Sequence, residues 1–201
     1  VPRETACDMR TSDGNISLKG LTRDQKGRTS DGNIEVNNIT GSLVASSSDG
    51  NIHIQKINGS VEVKTSDGNI RLEDIDGDAR ASTSDGNIGV TRISGSTSLK
   101  TSDGDISFED LAGSLAAATS DGNVTGNLLE LKRELTIKTS DGNISVAIPG
   151  NLGLDLNIKG ESLEVPLSNF TGHSDEKSIQ GKSNGGGIAV NLTTSGNVTL
   201  S

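Results

Sequence analysis

With 26 glycines, no tryptophan, no tyrosine and only two phenylalanines among 201 residues, the chain cannot build the aromatic-rich core of an ordinary globule, so its interior must come from small aliphatic side chains. A net charge of −9, from 27 acidic against 18 basic residues and without a Lys/Arg cluster, disfavours nucleic acid and anionic membrane surfaces as partners, since both require a basic footprint. One cysteine excludes an internal disulfide and cannot alone make a zinc site, and no apolar run of about 18 residues is present to cross a membrane as a helix.

In chain order, Val1-Pro2-Arg3-Glu4 lacks a signal-peptide pattern, and Cys7 is expected as a buried thiol. Residues 1–29 read as an atypical N-terminal cap coil, because charge interrupts the apolar alternation at Thr22-Arg23-Asp24-Gln25-Lys26. Ser-Asp-Gly recurs at Asp13, Asp31, Asp49, Asp67, Asp85, Asp103, Asp121 and Asp141, which is six steps of 18 followed by one of 20. The unit, as in Ile52-x-Ile54-x-x-Ile57-x-Gly59-Ser60-Val61-x-Val63-x-Thr65, alternates with period two in two segments separated by a Gly corner and an Asp-Gly corner. That pattern predicts two strands per turn, with regular coils over 30–148.

Because the unit repeats, each strand should pair in parallel with its equivalent in the next coil at ~4.8 Å, giving an all-β, single-stranded parallel β-helix of about ten turns, right-handed by the bias of parallel crossovers. Inward columns are Ile34, Ile52, Ile70, Ile88, Ile106, Val124, Ile144 and, beside them, Val36, Ile54, Leu72, Val90, Phe108, Val146; Leu43, Val61, Leu115 and Leu135 form the opposite wall. At the Asp-Gly corner, Gly is expected at φ > 0 and Asp is expected to accept local backbone N–H groups. The Asn that follows, with Asp105 once in its place, should form an amide ladder between coils.

Residues 149–201 read as irregular C-terminal coils of the same single domain. Leu154-x-Leu156-x-Ile158 and Leu163-x-Val165-x-Leu167 still alternate, 168–183 reads as a polar loop around Phe170, and Ile188 to Leu200 restores the cassette with its Asp deleted.

The tandem TSDGNI cassettes, closed by NGGGI-x-V-x-L-x-TSGNV, make the chain resemble bacterial adhesin-type repeat domains of unknown function over roughly Met9 to Ser201. The resemblance implies a right-handed β-helix placed in or outside the bacterial envelope, and carries no catalytic motif.

Some of these patterns invite sharper chemistry, and others oppose it. Stacked Asp carboxylates invite calcium, but the calcium β-rolls need several glycines per half-turn where this repeat has one Asp-Gly per turn. A polysaccharide lyase or glycosidase needs a distinguished carboxylate pair, and the Asp column is uniform. A Thr column (Thr29, Thr65, Thr83, Thr101, Thr119, Thr139) suggests ice binding, yet those residues share the parity of the core and should face inward. The sequence therefore predicts no catalytic residue, no metal and no cofactor. His53 and His173 are expected to be solvent-exposed. The outward columns mix signs, with Glu35, Arg71, Glu73, Asp74, Arg92, Glu109 and Asp110, as a polar binding face would. The expected role is a non-catalytic surface or envelope module, extracellular, with an unidentified protein or polysaccharide ligand and the capacity to associate end to end through open terminal strands. Phe170 and His173, in the loop interrupting the scaffold, are the candidate binding residues; the other role open to Phe170 is a hydrophobic plug on the last coil.

Overall fold

The computed structural model describes residues 2–201; Val1, the first residue of the stretch read above as lacking a signal pattern, lies outside the described residues. Twenty strands join in one continuous sheet, with no helix among the described residues. The regular coils are β-solenoid turns. Ile34–Thr40, Ile52–Asn58 and Ile70–Asp76 lie parallel, with Ile34, Ile52 and Ile70 in one register column. Leu43–Ser46, Val61–Lys64 and Ala79–Ser82 do the same on a second wall. Every expected core column is buried, and so are two more, Ile39/Ile57/Ile75/Ile93/Leu111 and Ala45/Val63/Ala81/Leu99/Ala117/Ile137. Stacking like on like lets each aliphatic side chain pack on its own kind without aromatic filler. Phe108 is the exception in its column, and the residue above it is Gly126, where a Cβ would lie 2.6 Å from the Phe108 ring.

A third bend separates the coil from the two-corner expectation. Asn38, Lys56, Asp74, Arg92 and Asp110 all sit at φ between 54° and 59°. The left-handed kink divides the longer strand into two legs and turns the Ile39–Leu111 column inward. Asn and Asp tolerate this conformation, whereas Lys and Arg do so at a cost.

The Asp-Gly corner also works differently from the expectation. Its glycines are not among those at positive φ; they are needed because the coils touch. A Cβ at Gly32, Gly50, Gly68, Gly86, Gly104, Gly122 or Gly142 would lie 1.9–2.1 Å from the glycine carbonyl oxygen of the coil beneath. Nor does the Asp carboxylate cap the turn. The inward Thr does: the Thr101 hydroxyl lies 3.0 Å from both Ser84 O and Gly86 O of the coil beneath and accepts from Gly104 N at 3.3 Å. Thr29, Ser47, Thr83, Thr119 and Thr139 repeat the arrangement. The Asn ladder is present, with the backbone as its principal donor and side-chain amides adding longer contacts, such as Asn69 Nδ2 to Asn51 Oδ1 at 3.2 Å. Asn51 N donates to Asn33 Oδ1 at 2.8 Å and Asn69 N to Asn51 Oδ1 at 2.9 Å. Because only acceptance is demanded of the side chain, Asp105 fits, taking Asn123 N at 2.7 Å.

The N-terminal coil is regular in backbone and irregular only in side chains. Gln25–Arg28 is a strand in register with Leu43–Ser46. Gln25 takes the Leu position, 2% exposed. Its amide donates to Thr5 O and Arg23 O and accepts from Cys7 N, so the polar plug is satisfied. Cys7 is half-buried rather than buried.

Eight near-identical turns, Asp13 to Asp141, stack in chain order, fewer than the ten expected; two further rungs are stacked out of order. The strand Ile188–Thr193 pairs in parallel with residues 134–138 on one side and with Leu154–Lys159 on the other. Asn197–Leu200 lies between Ile144–Ala147 and Ser162–Glu164. After the eighth turn the chain thus skips a rung, builds the one beyond it, and returns to fill the gap. The return path corrects the reading of 168–183 as a loop: it holds an antiparallel hairpin, Thr171–Ser174 with Ser178–Ser183, whose second strand also pairs antiparallel with Leu154–Lys159. Among the described residues no helix is long and apolar enough to cross a membrane.

Two outcomes follow for stability. Thr101→Val should cost about 1–3 kcal/mol, the range for stranding buried hydrogen-bond partners, while Asp103→Ala in the same turn should change stability by no more than about 0.5 kcal/mol; equal losses in urea unfolding would return the capping role to the carboxylate. Lys56→Asn, matching Asn38 one coil below, should stabilise by roughly 0.5–1 kcal/mol by relieving the left-handed conformation, read as a raised urea midpoint at unchanged slope.

Candidate functional site

Phe170 and His173 are placed apart in character by the C-terminal hairpin. Gly172 and Gly181 stand opposite each other in it. A Cβ on Gly172 or Gly181 would come within 3.0 or 2.8 Å of the Phe170 ring. The half-buried ring packs against the core cluster and fills the space these two glycines leave above Leu156, which is the partner of Gly181 in the adjoining strand. That packing favours the plug. His173 is exposed, with Nε2 3.0 Å from Asp175 Oδ2. Asp175 organises the tip: Lys177 N donates to its carboxylate, followed in weight by His173 and then Ser178 N, and together they hold it below the usual carboxylate range.

His53, expected to be exposed, is half-buried between coils, with Nε2 3.5 Å from Glu73 Oε1. The Arg71 guanidinium donates to Glu73 and holds its carboxyl below the ordinary range, against an opposing push from burial. Arg92 Nε, 2.5 Å from Asp74 Oδ1 one coil below, lowers Asp74 likewise. Within the mixed-sign outward columns, Arg71 is thus paired with Glu73 and Arg92 with Asp74, exposed pairs of small energetic weight.

Two open features have room for a ligand: one of about 610 Å³ on the wall around Arg71, Gly89 and Ser107, and a larger one on the wall built from Leu43–Ser46, Val61–Lys64, Ala79–Ser82 and Thr97–Lys100. An open trough of about 740 Å³ runs across these strands. Along one side lie Ser42, Ser60, Asp78, Ser96 and Ser114, and along the other Val44, Glu62, Arg80, Ser98 and Ala116. Five coils at ~4.8 Å give it a length of roughly 20 Å. Main-chain groups here are committed to the inter-coil ladder; Ser96 N, for instance, donates to Asp78 Oδ1 at 2.8 Å. Recognition therefore falls to hydroxyls and charges.

One end of the trough is closed by Arg133 and Glu134. Gly113 pairs with Leu131 and Leu115 with Leu135, so the offset rises from 18 to 20 and Lys132, Arg133 and Glu134 face the single residue Ser114. This bulge is the two-residue insertion that lengthens the last step of the repeat. Bulges re-aim side chains, and a separate register shift a few residues earlier, where Leu111 pairs with Leu128 and Ala112 with Glu130, leaves Leu129 68% exposed between buried Leu128 and Leu131. The trough was not anticipated from the sequence; the 20-residue step was its visible trace.

The chain is an all-β solenoid repeat protein. The Toastrack DUF4097 family model matches it over residues 3–92 and again over 77–201, nearly the whole chain, and the protein belongs to that family, a domain of unknown function. No curated protein and no solved structure gives a significant match.

If Phe170 is a half-buried plug, Phe170→Ala should cost roughly 1.5–3 kcal/mol, below the full cost of a wholly buried ring, and should speed hydrogen exchange in Ser178–Ser183. Undiminished stability would mean that the ring is displayed.

Proposed function

We propose that this protein is a non-catalytic display and binding scaffold of the cell surface or envelope, adhesin-like in role, and that its trough holds an extended surface ligand, protein or polysaccharide, lying along the solenoid axis. The observation that carries this reading is the trough itself. It is long rather than deep, crosses five coils, and carries a column of serines broken only by Asp78 beside a varied column of Val44, Glu62, Arg80, Ser98 and Ala116, so a polymer with a repeating polar backbone can meet hydroxyls several times over. Each contact is weak and exposed, and affinity would come from their number. The bulge at Arg133 and Glu134 supplies what the regular coils lack, a unique end that sets where such a chain stops.

Catalysis is a poorer reading of the same geometry. The outward carboxylates Glu73 and Asp74 are each engaged by an arginine on the open surface, where both are held ionised by that partner and neither is poised to exchange protons near neutral pH.

The test is a glycan and peptide array screen with the intact chain, followed by Ser98→Trp, which places an indole in the middle of the trough, and Ser107→Trp on the other wall as control. Ser98→Trp should weaken binding at least about tenfold with stability within ~0.5 kcal/mol of the parent, and Ser107→Trp should leave binding intact. Equal binding by both variants would place recognition elsewhere.

A further inference from the structure

We propose that the rung formed by residues 188–200 is exchangeable, and that a second copy of this chain can supply it, so that two copies join by swapping these rungs. Both rungs that flank it come from earlier in the chain: residues 134–147 on one side and 154–164 on the other. The slot is therefore defined before its occupant arrives. The occupant is joined to the preceding fold by one link of four residues, between Ser183 and Ile188.

That link is a hinge. Asn184, Gly185, Gly186 and Gly187 all have positive φ, at 49°, 87°, 78° and 145°. This tight path carries the chain over the start of Leu154–Lys159, from the strand on one side of it to the strand on the other. It is held by Gly187 N to Asp155 Oδ2 at 3.2 Å, Ile188 N to Gly153 O at 2.9 Å and Asn184 Nδ2 to Leu152 O at 3.2 Å. Drawn out straight, the same four residues span roughly 13 Å, and the rung is carried away from its own slot. Short hinges of this kind are where exchange between protomers begins.

What holds the rung in place is common to every coil. Asn197 N donates to Asn143 Oδ1 at 2.9 Å, and the Thr194 hydroxyl reaches Gly142 O. Val190, Leu192, Val198 and Leu200 are buried in the continuing core columns. All of these contacts re-form in the slot of a second copy, so the exchanged and closed forms differ at the hinge alone. An empty slot is the unfavourable state, since it bares core side chains and two unpaired strand edges. A segment of the same sequence is its matched filler, and high concentration favours the exchange.

The experiment uses the full chain carrying Cys7→Ser. Isotopically heavy and light preparations are mixed at high concentration, held just below the urea midpoint, returned to native buffer and weighed intact by native mass spectrometry. Mixed heavy–light dimers that survive dilution are expected. Asn157 and Asn191 are register partners with Nδ2 and Oδ1 3.4 Å apart, suited to a disulfide latch. The oxidised double variant Asn157→Cys/Asn191→Cys should give roughly tenfold less dimer, and reduction should restore it. A Cβ at Gly185 would meet no neighbouring atom within 4 Å, and its φ is +87°; because Val resists that conformation, Gly185→Val should raise dimer about tenfold. Monomer alone from both the parent and Gly185→Val overturns the proposal. So does an oxidised latch that dimerises as readily as the reduced one, which would assign association to end-to-end pairing of terminal strands.

Discussion

The close approach of each corner glycine to the glycine of the coil beneath is the constraint on which the rest depends. At Gly104 a single added carbon would lie 2.0 Å from Gly86 O, so the corner admits no side chain and no slippage. That contact sets the spacing and, through Ser102 N and Asp103 N both reaching Ser84 O, the register. With register set, each side chain finds its own equivalent above and below. Identical neighbours then become a resource: Ile stacks on Ile, Thr caps the turn over the carbonyls beneath, and Asn accepts from the next Asn backbone. The aromatic residues that a globule needs to fill uneven space are dispensable when the space is even. Where Phe108 breaks the evenness, the next coil gives way to Gly126.

Such a stack is stable in its middle and exposed at its ends, because every rung is stabilised mainly by its two neighbours. The two ends answer this differently. At the N-terminal side Gln25 replaces an apolar residue and satisfies its amide on Thr5, Arg23 and Cys7, converting a core position into a polar seal. At the other side the chain folds back, interposes a rung between two earlier segments and adds an antiparallel hairpin, which parallel coils cannot extend in the same register. Phe170 occupies the space above the Gly172–Gly181 pair in that hairpin. The out-of-order rung ties residues 134–147 to residues 154–164, so the cap is coupled to the regular coils through strand ladders as well as through the covalent chain.

The columns were legible because period-two alternation survives any uncertainty about corners; Ile52 and Ile54 have to share a face. The parity of the Thr column was legible for the same reason. Its role was not, because turn preferences describe isolated turns, in which Asp finds only its own backbone, whereas in a stack the acceptors come from the coil beneath and the inward hydroxyl is the group that reaches them. The bend at Asn38, Lys56, Asp74, Arg92 and Asp110 was hidden by its mixed residue types, since Lys and Arg carry no preference for a left-handed backbone. The C-terminal order was hidden for a different reason: the cassette at Ile188–Leu200 looks like the next coil whether it is stacked next or inserted, and alternation reports which face a residue takes without reporting which strand lies beside it.

The same logic underlies the proposed binding role. A perfectly periodic wall offers any partner as many equivalent positions as it has coils, so it can hold a chain without deciding where the chain sits. Specificity has to enter where the period fails. It fails at the C-terminal hairpin, where Phe170 is turned into the core and is spent on closure. It fails also at residues 132–134, which oppose Ser114 alone, and there the irregularity faces outward and closes a trough of which one side is serine at every coil but that of Asp78. Arg133 and Glu134 add a charged end to a trough that already carries Glu62, Asp78 and Arg80 along its sides. On the proposed binding role, a polymer sliding along the hydroxyls of Ser42, Ser60, Ser96 and Ser114 would gain similar contacts there at each shift of one coil, and its register would fall to those five charged residues. Affinity would thus grow with the number of coils while selectivity stayed with the few charged positions, and a solenoid could lengthen without losing its partner.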